Sequence, residues 1–233
     1  MAQAHIYFSL DSSIPNTHHL AVNYRSAFAP SVEDVFVREV LPRYTQAREL
    51  KTGRPIKNFG LRLRELLGLC LLSYFFSMLT KERWVPGTDP FQRDGLIKRV
   101  KYPANFGKIR PVHLIEQVFV PEGIPPSREI TNEVISSLDK KDAKGTTYAE
   151  NTNLVILVDN IDAEYQVEAL IARAKTSTFQ AIYLFIMRNP KPYWFDALTL
   201  KNPQGDLGSY ELKIDSAGSA KMAGRDTHSD SDE

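Results

Sequence analysis

A chain of 233 residues, 42% hydrophobic and 10% aromatic, holds enough apolar material for one large domain with trimmings. Its 29 Lys and Arg stand against 28 Asp and Glu, which excludes a global basic coat and makes any nucleic-acid surface a local one. The single cysteine, Cys70, excludes an internal disulfide and favours a reducing compartment.

Taken in order, the first residues lack the positive start and long apolar stretch of a signal peptide. His5 to Leu10 reads as a short strand. Ser31 then opens a helix, with Asp34 three residues on as in a capping box and Val32, Val35, Phe36 and Val40 at helical spacing. Pro42 is expected to limit its length. Residues 1–57 are therefore read as an N-terminal extension with one helix.

Asn58 to Lys81 carries the strongest helical signal. Leu63, Leu66, Leu67, Cys70, Leu71, Tyr74, Phe75 and Met78 cover a broad arc, so this helix must be buried over much of its circumference. Its apolar run, Leu66 to Leu79, is shorter than the roughly 20 residues a bilayer requires. A buried helix in a cytoplasmic protein, with no membrane partner, is the expectation. Cys70 inside that run reads as a small core residue. Glu65, in the first turns, is a possible third acid for a site further on, or a surface partner for Arg62.

Trp84 to Gly87 breaks the helix, Thr88-Asp89-Pro90 makes a turn, and a hairpin follows. Its turn residues, Pro103, Asn105 and Gly107, centre near Asn105, and folding there sets Asp94 opposite Glu116. Directly opposed Cβ atoms on adjacent strands lie about 4.5–5.5 Å apart. Two carboxylates so placed repel unless a cation lies between them, and oxygen-only ligands suit Mg²⁺, with Mn²⁺ a possible substitute. Asp94 also has a plain reading as a turn residue before Gly95. Glu116 is harder to explain away, because it interrupts a strand that is apolar on both faces. Lys98, Arg99, Lys101, Lys108 and Arg110 load the hairpin with cations, as a phosphate-tracking surface or as a solvated ribbon.

A helix follows from about Ser127 to Lys144 and stops at Gly145. At about 100° per residue, Lys141 falls within the arc of Ile130, Val134 and Leu138 and faces the sheet, while Lys140 and Lys144 lie on the flank. The Lys141 stem either snorkels to water or carries its amine to the acids. Asn153 to Asp159 and Ala181 to Met187 are buried strands around a helix from Ala163 to Ala174, a βαβ unit with a parallel pair. Tyr193 to Leu200 reads as a last strand. Residues 204–233 read as a polar, largely disordered tail.

Two chemistries are excluded by their motifs: the chain holds no G-x-x-x-x-G-K-[ST] and no G-x-S-x-G. What remains is an order of elements: long helix, short strand, D-G-x-I strand, acid-bearing strand, lysine-bearing helix, apolar strand, helix, apolar strand. From Asn58 to Leu200 this order resembles the PD-(D/E)XK nuclease superfamily. The resemblance implies an α/β core over residues 58–203, a restriction-endonuclease-like mixed sheet flanked by helices, behind the N-terminal helical extension. It implies that Asp94 and Glu116 hold a divalent ion, usually Mg²⁺, for hydrolysis of DNA phosphodiesters. It makes Lys141 the catalytic lysine, with Lys98, Arg99, Lys101, Lys108, Arg110, Lys140 and Lys144 along the nucleic acid. Such enzymes often act as dimers or as subunits of larger defence or mobile-element systems, so a protein partner is expected beside DNA. The chain departs from the pattern at Val118, where the family's lysine normally stands. Lysines on the next helix would replace it, or the fold would serve as a catalytically inactive module for protein or nucleic-acid interaction.

Overall fold

The computed structural model describes residues 31–44, 53–56, 59–88, 94–100, 112–121, 130–159, 164–190 and 193–224. In these residues the apolar runs pair into one eight-stranded sheet whose spatial order follows the chain. The strands are β1 (Arg83–Gly87), β2 (Gly95–Val100), β3 (Val112–Val120), β4 (Thr152–Val158), β5 (Ala181–Pro190), β6 (Tyr193–Lys201), β7 (Gly208–Ile214) and β8 (Ala220–Gly224). β1 to β3 run antiparallel, β3, β4 and β5 run parallel, and β5 to β8 return to antiparallel.

Parallel neighbours need a crossover. Between β3 and β4 it contains α3 (Ile130–Asp142) and a one-turn helix, α4 (Thr146–Ala149); between β4 and β5 it contains α5 (Val167–Lys175). The expected α/β class and the parallel pair across residues 153–187 are therefore present. Because both faces of the parallel strands are covered, β4 is buried at every position and reads as a continuous apolar run. Its residues alternate between two cores: Val155 and Leu157 join one, Leu154, Ile156 and Val158 the other.

The first core is built around α2 (Leu63–Thr80). Every residue from Leu66 to Phe76 is buried, Cys70 among them. This helix is long and apolar enough to cross a membrane, yet 67% of that stretch is buried inside the fold. It starts where Glu65 accepts from the Arg62 backbone N–H at 2.7 Å, and its far end is tied to β1 by Trp84 Nε1 donating to Thr80 Oγ1 at 3.0 Å. The helix ends at Thr80, with Lys81 in the left-handed region at φ 56°, so it stops ahead of residues 84–87, which were expected to break it and instead belong to the edge strand β1. The second core joins Ile130, Val134 and Leu138 of α3 and Leu170 and Ala174 of α5 to the opposite sheet face.

The N-terminal helix, α1, is assembled from α-turns at Val32–Val35 and Leu41–Tyr44 with a π-helical segment, Phe36–Val40, between them. The Ser31–Asp34 capping box forms as expected, with bonds of 3.0 and 3.3 Å. Pro42, however, does not end the helix. A π-helical turn stands ahead of it, closed by the Leu41 N–H donating to the Phe36 carbonyl, and the helix runs on to Tyr44. Far from standing apart, α1 buries Phe36 edge-on against Tyr74 and Tyr193, and Tyr44 donates to Met187 Sδ at 2.7 Å.

The expectation of a largely disordered segment from residue 204 is corrected over 208–224, which forms β7 and β8. A polar average concealed a period of two: Leu212 and Ile214 are fully buried, and Tyr210, Ala220 and Met222 pack against the first core. The turn between the strands is set by the Asp215 side chain, which accepts from the N–H groups of Ala217 and Ser219, and by Gly218 at φ +82°. The strand expected at His5 to Leu10, Lys101, Lys108 and Arg110, and residues 225–233 lie outside the described residues.

Candidate active site

The hairpin register decides the site. β2 and β3 pair Gly95 with Ile115, Leu96 with Leu114, Ile97 with His113 and Lys98 with Val112. One further step of that register sets Asp94 against Glu116, as the turn residues predict. Asp94 stands just before β2, and its Oδ2 accepts from the Gln117 backbone N–H at 2.7 Å. Gly95 lets the chain enter β2 so sharply: its φ is +153°, and a Cβ there would meet Leu69 of α2 and the Gly87 carbonyl. His113 lies on the opposite face from Glu116, against the rings of Phe76 and Trp84, where burial pulls its pKa down to about 4.

Glu116 is only 3% exposed, so its carboxylate needs partners. Lys141 reaches it from α3, with Nζ 2.8 Å from Glu116 Oε2 and 3.6 Å from Asp94 Oδ2. The helical spacing of Lys141 with Val134 and Leu138 thus carries the amine inward to the acids. Tyr148, on α4, donates its O–H to the same Glu116 oxygen and accepts from Lys141 at 3.2 Å and from Lys144 at 3.3 Å. Its ring sits edge-on against Phe179, and the Lys144 amine lies 4.6 Å from the ring centre.

These contacts set the charges. Burial raises the pKa of Asp94; the negative charges of Glu116 and Glu65 add to the rise, while Lys141 and the Gln117 N–H oppose it. For Lys141 burial works against the charged form, but the hydrogen bond to Glu116 and the two carboxylates outweigh it, and its pKa is raised. Tyr148 is pushed up to about 12, by burial first and by its bond to Glu116 second. The resting site is therefore a charged ammonium and a neutral phenol set against acids.

A cleft of about 350 Å³ opens onto this group. Arg64, Glu65, Lys140 and Lys144 line it together with Asp94 and Lys141. Glu65 lies at the rim with its carboxylate on the start of α2, 2.7 Å from the Arg62 N and 4.0 Å from Arg64 Nε. Its backbone carbonyl accepts from Gln117 Nε2 at 2.7 Å, and Gly68 leaves room for that amide against α2. Lys98 and Arg99 do not line the cleft, and Arg99 is bound to Glu82 at 2.7 Å.

Tyr148, Gln117 and Arg64 are the members that the residue pattern does not single out. The one sequence signal for Tyr148 is its i, i+4 spacing from Lys144 across the Gly145 break. A divalent cation fits the donor set in a restricted way. Among the described residues no three His, Cys, Asp or Glu side chains gather as a metal cage. Two carboxylates that share one ammonium offer the oxygen donors that Mg²⁺ takes from a protein when water and phosphate complete its shell. No protein-family model, no curated protein and no solved structure matches the chain.

Proposed function

We propose that this chain is a metal-dependent DNA endonuclease of the PD-(D/E)XK type, built on a restriction-endonuclease-like core that runs from α2 through β4. The observation that carries the reading is that the Lys141 amine meets both Asp94 and the buried Glu116, with Asp94 and Lys141 themselves lining an open cleft. The order α2, β1, β2, β3, α3, β4, with β3 parallel to β4, supports it. So does Val118, which lies on the same strand face as Glu116 and lines the cleft, while an ammonium reaches the acids from the next helix instead.

Asp94 and Glu116 would hold Mg²⁺, with Mn²⁺ as a substitute. When bound, the ion supplies Lewis acidity that activates water and stabilises charge developing on a phosphodiester. Lys141 orients the attacking water or screens the phosphate, as its position beside both acids allows. Lys140, Lys144 and Arg64 carry the cleft wall's positive charge, which attracts the adjoining phosphates. Asp94 and Glu116 orient nothing by themselves: the Gln117 N–H fixes the first and Tyr148 the second. One site cuts one strand, so a protein partner or second copy would complete a double-strand break.

A second reading, a non-catalytic module on the same fold, is favoured by a specific observation: the acids are already answered by Lys141 and Tyr148. Incubating the full chain with plasmid and single-stranded DNA, in Mg²⁺, Mn²⁺ or EDTA, separates the two. Metal-dependent cutting that vanishes in Asp94→Ala and Glu116→Ala is expected. Cutting that survives both substitutions, or no cutting with any metal, would remove the nuclease reading.

A further inference from the structure

Lys141 stands where a site of two carboxylates holds its cation. Its Nζ lies 2.8 Å from one acid and 3.6 Å from the other, and its side chain is only 16% exposed. An ammonium and a dication cannot share that space. Charges of one sign a few ångströms apart repel by several times the thermal energy near a protein surface. The lysine, though, has somewhere to go. Its amine already reaches the Tyr148 hydroxyl at 3.2 Å, and the cleft beside it is open. Its stem is long and freely rotating, unlike the planar fork of an arginine.

We infer that Lys141 is the resident cation of this site, and that a divalent ion and the Lys141 ammonium compete for one position between Asp94 and Glu116. This rests on the metal-dependent reading given above. Metal loading then turns Lys141 out toward Tyr148 and the cleft, where its charge meets a phosphate. Before loading, the same lysine offsets one of the two negative charges. Tyr148 serves as a positioning residue: it holds one oxygen of Glu116 throughout and receives the displaced amine.

The test is a calorimetric titration of the full chain with Mg²⁺, and with Ca²⁺ as a second probe, without DNA. Lys141→Met removes the competitor without a new charge and should tighten metal binding on the order of tenfold or more. Lys141→Arg keeps a cation in place and should bind metal no better than the parent chain. A merely structural role for Lys141 predicts weaker binding in both variants. Melting temperature in EDTA and in Mg²⁺ gives the second readout: Lys141→Met should melt lower in EDTA and recover more on adding Mg²⁺ than the parent does. Unchanged or weaker metal binding by Lys141→Met, with the parent binding normally, overturns the competition and leaves the nuclease reading standing. Binding by Lys141→Met alone supports it strongly. Heat from neither protein overturns both.

Discussion

Glu116 and Asp196 are buried carboxylates on two strands of this sheet, and each meets a cation and a tyrosine. Glu116 on β3 has Lys141 and Tyr148; Asp196 on β6, fully buried, has Arg188 Nε at 2.7 Å and the Tyr165 hydroxyl at 3.1 Å. The ingredients match, and the outcomes differ. Arg188 belongs to the neighbouring strand, at the break in register between Met187 and Asn189, where a bulge can re-aim a side chain, and its guanidinium lies 5.4 Å from the Tyr165 ring centre. That is a short-range, planar, fixed pairing. Lys141 reaches across from a crossover helix on a flexible stem, toward two acids rather than one, beside a cleft. A buried acid thus becomes a structural joint when its cation is local and rigid. It becomes an exchangeable site when the cation is remote and a second acid shares it.

The comparison breaks first at Arg188. Arg188→Met strips the cation from a fully buried carboxyl group, and should cost about 3–5 kcal/mol in a denaturant titration whether or not Mg²⁺ is present. Lys141→Met should cost less, and only its loss should shrink on adding the metal. Equal losses, both blind to Mg²⁺, would erase the distinction.

A third buried titratable group sharpens it. His113 is held neutral by burial, with its pKa lowered from 6.5 to about 4. Above about pH 6.5 folded and unfolded chains are both neutral there. As pH falls toward 4 only the unfolded chain takes the proton, so stability drops by about 3 kcal/mol and then levels off. His113→Gln should flatten that part of the profile in denaturation curves collected across the range.

Next comes Gly68, which lets α2 approach the Gln117 amide. Gly68→Ala should cost about 1–3 kcal/mol in a denaturant titration, through overpacking that pushes the Gln117 side-chain amide off the Glu65 carbonyl. The smallest effect belongs to Tyr148→Phe, about 1 kcal/mol in stability: the hydroxyl bonds Glu116, Lys141 and Lys144, but the Lys141–Glu116 pair stays in place without it. Its informative readout is metal affinity, which should change although no metal donor is removed.

How much of this was readable beforehand follows from which rules are rigid. The hairpin centre near Asn105 fixed the partner of Asp94, because antiparallel pairing allows only one register per turn centre. The inward face of Lys141 followed from helical geometry, which holds over the 13 residues of α3. Tyr148 was not legible, because a one-turn helix after a glycine has no period to read. Arg188 and Asp196 were not legible either, since their meeting depends on a break in register that spacing alone cannot announce. β7 and β8 were hidden by averaging over a stretch whose apolar residues alternate with polar ones.

The sheet has two rims among the described residues, and they are unlike. At β1 the rim is closed: Val85, Pro86 and Gly87 are buried, and Pro86 has no N–H to offer an incoming strand. At β8 the rim carries mostly exposed residues and no proline from Ala220 to Gly224. Among the described residues, then, the rim best suited to main-chain pairing with another strand is β8, at the end of the sheet remote from the acids and the cleft.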